Sequence, residues 1–354
     1  MSKPVHPDRL RLVVLFGGVS AEHDVSCVTA AHVLAAADRS RYDLVPIGIT
    51  RDGTWIRNDK AIAALSDPAV ALPDALEPAG TEVNPLSELL TSPDGLPVVV
   101  LPLLHGPHGE DGTVQGMLEL AGIPYVGAGV LGSALCMDKA AAKIVAAQAD
   151  LPQCRWIEFR LGDSDRGTLV ERAVAELGFP MFVKPANLGS SVGISKTHDE
   201  DELITAVDLA LRYDEVVVIE EGVVGREIEV AVLGNNDPQT SVPGEIQPGA
   251  EFYDYEDKYI DGSAALVIPA ELPDAQADRV RELAALAFRA LRCSGMARVD
   301  FFFEEDGRGW LLNEANTIPG FTPHSMYPKL WEASGLSYSS LIDRLVELAR
   351  ERHQ

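Results

Sequence analysis

Short runs of β-branched and aliphatic residues recur along this chain. Most are closed by a small-residue loop and followed by an Ala/Leu-rich stretch of helical period. That alternation limits the fold more than any other feature, because strands separated by helices build α/β domains. LRLVVLF (10–16) reads as a buried strand, GGVSAE as its loop, DVSCVTAAHVLAAA (24–37) as a helix and YDLVPIGIT (42–50) as the next strand. Residues 57–95, rich in Pro, Asp, Ala and Ser, read as a peripheral insertion with some helix. VVVLPLL (98–104) returns to a buried strand and EDGTVQGMLELAG (110–122) to a helix, which gives a doubly wound first domain ending near Gly127.

One long helix is expected over 131–150, then strands near 154–159, 180–186, 192–196 and 215–221 with helices between them. From Arg226 the pattern is richer in strands (226–234, 241–247, 264–272). A helix over 274–293, a hairpin and an amphipathic helix over 339–351 follow. At 354 residues the chain exceeds one ordinary core, so two or three domains are expected.

A hydrophobic content of 46% excludes general disorder. A formal charge of −25 argues against nucleic acid as the main partner, so any bound phosphate must meet local lysines, glycine loops or metal ions. Cys27, Cys136, Cys154 and Cys293 are scattered without a CxxC pair and read as free thiols of a reducing compartment. MSKPVHPDRLRLVVLFGG reads as a first strand and loop rather than a signal peptide. LPVVVLPLL is too short and proline-broken to span a bilayer. A soluble, cytoplasmic protein with no membrane partner is expected.

MARVDFFFEEDGRGWLLNEANT reads as two strands joined by an Asp/Gly turn. A turn centred near Gly307 sets Asp300 opposite Glu314 and Arg298 opposite Asn316, all on one face by the strand period of two. Two carboxylates and an amide oxygen suit Mg²⁺ shared with phosphate. A cross-strand ion pair of Arg298 with Asp300 or Glu314 fits the same register. In VKPANLGSSVGIS, Lys184 ends a strand before a Gly/Ser loop whose N–H groups could approach phosphate, although no GxxxxGK[ST] is present. Lys139 and Lys143 share a helical face, which suits either solvent or phosphate. Glu220, Glu221 and Glu227 flank a Gly-containing connector and could meet an adenine edge and ribose hydroxyls, or be surface acids.

In order, GGVSAEHDVS, LLHGPHGEDGTVQG, MDKAAAK, VKPANLGSSVG, EEGVVGREIEV, FYDYEDKYI, ARVDFF and NEANTIPGFTPHS resemble the D-alanine–D-alanine ligases of the ATP-grasp superfamily over nearly the whole chain. The resemblance implies a three-domain ATP-grasp fold: an N-terminal α/β substrate domain over 1–127, a central ATP-grasp subdomain over 128–223 and a C-terminal ATP-grasp and catalytic domain over 224–354. It implies ATP-dependent joining of two D-alanines for peptidoglycan precursors, and hence a role in cell-wall biogenesis and cell shape. A homodimer is implied as well.

By that resemblance Lys139, Lys184 and Ser191 would meet the phosphates. Glu220, Glu221 and the backbone at Val223 would meet adenine, and Glu227 the ribose. Glu221 departs from the lysine common at that place in the family. Asp300, Glu314 and Asn316 would hold two Mg²⁺ ions, with Mn²⁺ as a substitute. Arg298 and the N–H of Gly320 would stabilise an oxyanion. Glu22 and His105 would hold the first D-alanine, and Lys258 and Ser325 the second. Tyr259 and Ser190 would link to Glu22. Relatives that make an ester product differ at the Lys258–Tyr259 pair, so its presence implies an amino acid as second substrate. His108 reads as ordinary surface, and His23 likewise carries no functional role.

Overall fold

The computed structural model describes residues 9–67, 70–90, 92, 94–162, 165–189, 192–247 and 265–354. Strand β1 (Leu10–Gly17) is buried along its whole length and runs parallel to β2 (Tyr42–Ile49) and β5 (Val98–Pro102). A strand covered on both faces needs a near-continuous apolar run, which LRLVVLF supplies apart from Arg11, whose guanidinium pairs with Glu88 at 3.3 Å. Its alternation sorts two cores. Leu10, Leu12, Val14 and Phe16 pack with helix α1 (His23–Ala36), while Val13 and Leu15 pack with α4 (Thr113–Leu120). The 57–95 segment is partly an extension of this sheet. β3 (Trp55–Arg57) and β4 (Thr81–Glu82) add antiparallel at its edge, and α2 (Asp59–Ser66) and α3 (Pro85–Leu90) pack beside them.

The single helix expected over 131–150 is two helices, α5 (Val130–Met137) and α6 (Lys139–Gln148). Asp138 breaks it by leaving helical backbone, and its carboxylate accepts the Ala141 N–H as an N-cap. The break lets the Lys139 N–H donate to the carbonyl of Ala186 at 2.9 Å, which ties α6 to the second sheet.

That sheet is antiparallel, built from β6 (Trp156–Arg160), β7 (Met181–Pro185), β8 (Ser195–Thr197) and β9 (Val216–Glu221) in the order β6-β9-β7-β8. Val217 and Ile219 face the core under α7 (Arg166–Glu176) and α8 (Glu200–Ala210). Val216 and Val218 turn the other way, toward Ala140 of α6, so alternation sends Glu220 to that side too.

The third sheet has the order β13-β12-β10-β14-β15, with β11 on β10. Its strands are β10 (Arg226–Gly234), β11 (Gln239–Thr240), β12 (Gly244–Gln247), β13 (Ala265–Val267), β14 (Gly295–Glu304) and β15 (Gly309–Asn316). One face packs on α9 (Asp274–Ala290) through Ile228, Val230, Val299 and Phe301. The hairpin carries a bulge: Phe301 pairs with Leu312 but Asp300 with Glu314, so Asn313 is the extra residue. The bulge lets Trp310, Leu312 and Ala315 all reach the α9 core, and still turns Glu314 and Asn316 to the opposite face. Helices α10 (Met326–Ala333) and α11 (Tyr338–Arg352) close the chain. Leu341, Ile342 and Leu345 of α11 join the core under β1, so the last element is packed on the first.

Cys136 and Cys293, far apart in sequence, meet with their sulfurs 3.5 Å apart, and all four cysteines are free thiols. Among the described residues no helix is long and apolar enough to cross a membrane.

Candidate active site

The hairpin register follows the sequence reading: Arg298 lies opposite Asn316 and Asp300 opposite Glu314. On the other side of β14, β10 sets Glu229 opposite Asp300. Arg298 binds Asp300 through two nitrogens, at 2.8 and 2.7 Å, and Glu229 at 3.0 Å. The ion-pair reading is therefore realised here. It is compatible with a metal role, because a carboxylate has lone pairs beyond those facing Arg298. Although burial opposes it, Asp300 and Glu229 hold the guanidinium firmly charged. The Asn316 side-chain oxygen accepts the Ile318 N–H at 3.2 Å.

Among the described residues no group of three or more His, Cys, Asp or Glu forms a closed metal cage. Two carboxylates and one amide on a single face form half of a hard-ion site. That donor set fits Mg²⁺ when phosphate oxygens and water fill its other positions. Glu229 was not singled out in the sequence, although its i+2 spacing from Glu227 places it on the same face.

Above the second sheet, Glu220 lies between two lysines. One carboxylate oxygen meets Lys143 at 2.8 Å and the other meets Lys184 at 2.6 Å. Lys184 and Glu220 share a face because Phe182 pairs with Glu220 and Lys184 with Val218. Lys143 comes down from α6, and its ammonium also donates to the Cys154 sulfur at 3.5 Å. The solvated-face reading of Lys143 is therefore corrected, since the residue is only 4% exposed. Burial alone would raise the Glu220 pKa, but the two ammonium groups outweigh it and hold it at about 2. Glu220 in turn lifts Lys184 above the ordinary lysine range against the opposing effect of burial. Lys139 donates to the Leu188 carbonyl at 2.6 Å, and burial lowers its pKa.

Glu221 points away from this cluster. Its carboxylate accepts from the Arg155 N–H and guanidinium, both at 2.7 Å, and is also bound by Arg308. The side chain thus ties the end of β9 to the hairpin turn, so Glu221 itself can face a ligand only through its backbone. Val223 and Glu227 are half-buried in the connector and at the start of β10.

A third corner is built from the first domain. Glu22 and His105 are both buried, and a Cβ at Gly189 would lie 3.8 Å from a Glu22 carboxylate oxygen. The loop after Lys184 therefore runs directly over Glu22. Burial lowers the His105 pKa against the pull of Glu22, and its Nε2 has no hydrogen-bond partner among the described residues. Glu110, not noticed in the sequence, is buried here and accepts the Gly106 N–H at 2.6 Å. Burial, with Glu22 and Glu314 nearby, raises its pKa to about 8. Gly320 sits against Ser325, whose hydroxyl oxygen would be 3.1 Å from a Cβ at that glycine. The same oxygen accepts the Thr322 N–H at 3.1 Å. His108 is exposed, while His23 is buried with its Nδ1 2.6 Å from the Gly18 carbonyl oxygen. Ser190, Ser191, Lys258 and Tyr259 lie outside the described residues.

The corners converge on the end of the hairpin. The charge of Glu314 acts on Lys139, Lys184, Arg298 and Glu110, which come from four separate segments. The arrangement places ammonium groups opposite oxygen donors, with a buried guanidinium between acids. It can hold a polyphosphate and offset an anion that develops beside it.

Residues 11–128 match the family described as D-ala D-ala ligase N-terminus, and residues 145–347 the one described as D-ala D-ala ligase C-terminus. The chain is 48% identical over 353 residues to a D-alanine–D-alanine ligase of Geobacillus thermodenitrificans, covering 98% of this chain and 97% of that one. Among solved structures, the D-alanine-D-alanine ligase of Coxiella burnetii superposes with a TM-score of 0.81 at 36% identity, covering 98% of this chain and 95% of that one. The Bacillus anthracis D-alanine–D-alanine ligase complexed with ATP gives a TM-score of 0.75 at 30% identity, covering 97% and 98%.

Proposed function

The chain belongs to the D-alanine–D-alanine ligase family, and we propose that it joins two D-alanines at the expense of ATP, giving D-alanyl-D-alanine, ADP and phosphate for peptidoglycan precursors. The observation that carries this reading is Glu314, whose charge acts on Lys139 and Lys184 on one side and on Arg298 on the other, the last bound to Asp300 at 2.7 Å. The three sheets support a division at 1–127, 128–223 and 224–354, with nucleotide between the second and third units.

Asp300, Glu314 and Asn316 would hold Mg²⁺, or Mn²⁺ in its place, which supplies charge neutralisation at the phosphate oxygens. Lys139, Lys184 and Ser191 would meet the phosphates. Glu220 and the Val223 backbone would meet adenine, and Glu227 the ribose. Glu22 would take the ammonium of the first D-alanine, with His105 beside it.

A carboxylate oxygen of that D-alanine bonds to the γ-phosphorus while the bridging P–O bond breaks and ADP leaves, giving an acyl phosphate. The lysines offset repulsion between the two anions as they approach. The amine of the second D-alanine, placed by Ser325 and Lys258, then attacks the carbonyl carbon. The tetrahedral oxyanion is met by Arg298 and the Gly320 N–H. Its collapse expels phosphate, and the amine nitrogen loses its proton. Tyr259 and Ser190 would order this corner. The absence of a protein nucleophile from the scheme agrees with Cys136 and Cys154, whose thiols are raised above their usual pKa and therefore weakly nucleophilic. Leu120, Val130 and Leu131 expose apolar surface on α4 and α5, which supports a second copy of the chain as partner.

The test is product analysis with ATP, Mg²⁺ and D-alanine, alone or with D-serine or D-lactate. D-Alanine-dependent ADP release with the dipeptide as main product is expected. A dominant ester, mixed product or L-amino-acid product would overturn the substrate assignment.

A further inference from the structure

We infer that Lys143 is a positioning residue for the nucleotide: it holds Glu220 in place on the adenine side and so leaves Lys184 available to phosphate. This rests on the reading of Glu220 as the adenine-side acid. Lys143, Lys184 and Glu220 are all buried on the site face of the second sheet, with side-chain exposures of 5%, 12% and 4%. Two ammonium groups against one carboxylate leave an excess positive charge inside the protein, which is costly unless an anion arrives to share it.

With Lys143 absent, Lys184 would be the only cation in direct contact with Glu220 among the described residues, and binding a phosphate would require breaking that pair. With Lys143 present, Lys184 can turn to phosphate while Glu220 keeps a partner at 2.8 Å. Lys143 is itself anchored. It sits one turn after Lys139 on α6, its backbone carbonyl accepts from the Gln153 side chain at 2.8 Å, and its ammonium rests on the Cys154 sulfur. These contacts fix it as the stationary one of the two cations. Each Glu220 oxygen has a further lone pair, so the pairing does not prevent acceptance from an exocyclic amine.

The test is a double-mutant cycle read in KM for ATP and in preference for ATP over inosine triphosphate, whose base carries an oxygen where adenine carries the amine. Lys143→Met is expected to raise KM for ATP by about tenfold or more and to relax the preference for ATP, with KM for D-alanine little changed. Such a size is typical of a removed buried charge partner. Lys143→Arg should restore most of both. Because Lys143 acts through Glu220, adding Lys143→Met to Glu220→Gln should change neither quantity by more than about twofold, the mark of coupled rather than independent sites.

If Lys143→Met does not fold, Glu220→Gln and the double variant, which lose charge on both sides, still decide the matter. A clear further rise in KM on adding the second change would overturn the role given to Lys143. So would a Lys143→Met enzyme with wild-type KM and base preference. If Glu220→Gln itself leaves both quantities at wild-type values, the adenine-side reading of Glu220 fails instead.

Discussion

The two polar faces of the molecule are charged oppositely and built differently. On the second sheet, Lys139, Lys143 and Lys184 stand against Glu220; three ammonium groups and one carboxylate leave two positive charges. On the third, Glu229, Asp300 and Glu314 stand against Arg298; three carboxylates and one guanidinium leave two negative charges. The acidic face comes from strand alternation alone, whereas the cationic face joins Lys184 and Glu220 of two strands to Lys139 and Lys143 of α6. Neither is complete alone, and what would complete them differs. The first needs phosphate, and the second needs a divalent cation or a developing positive charge. A nucleotide triphosphate with its metals satisfies both at once.

The largest effect is expected on the acidic face. Asp300→Ala or Glu314→Ala should lower turnover by about a thousandfold or more, the scale of losing a main electrostatic stabiliser. The fold should persist, which circular dichroism would check. Near-wild-type activity in either variant would remove the hairpin from the reaction.

A smaller effect on the cationic face separates it from the acidic one. Glu220→Gln should cost about 3–5 kcal/mol of stability at neutral pH, because it leaves two buried ammonium groups without their counter-charge. The folded-state pKa of Glu220, about 2, lies below its ordinary value of 4.5. Its contribution is therefore full above that ordinary value and is lost as pH falls toward 2. In urea melts the gap between wild type and Glu220→Gln should narrow over that interval. A gap independent of pH would contradict the charge-based explanation.

The hairpin could be read from sequence because both of its determinants are local: an Asp/Gly turn and the period of two that aligns Asp300 with Glu314 and Arg298 with Asn316. The turn-side register, Glu304 with Gly309 to Phe301 with Leu312, would carry on to Asp300 opposite Asn313; the extra residue at Asn313 shifts it by one and so brings Asp300 to Glu314. Glu229 could have been found by the same alternation. The break at Asp138 carried an N-cap residue, but the surrounding Ala-rich run favours continuous helix and concealed it. Lys143 could not be placed, since its partner is Glu220, far along the chain, and only the packing of α6 on the second sheet brings them together. Strands β3 and β4 were missed because two or three residues carry almost no periodic signal. Glu110 lay within a quoted motif, but its burial beside Glu22 depends on a loop closing over it.

The complementary charge of the two faces is tested most directly by the linkage between Mg²⁺ and ATP binding. ATP affinity would be measured calorimetrically with and without Mg²⁺, for the wild type and for Asp300→Ala. The expected result is that Mg²⁺ strengthens ATP binding to the wild type and that most of this gain disappears in Asp300→Ala, while metal-free binding to the lysine face is not weakened. An undiminished Mg²⁺ gain in Asp300→Ala, or a loss of metal-free binding in that variant, would contradict it.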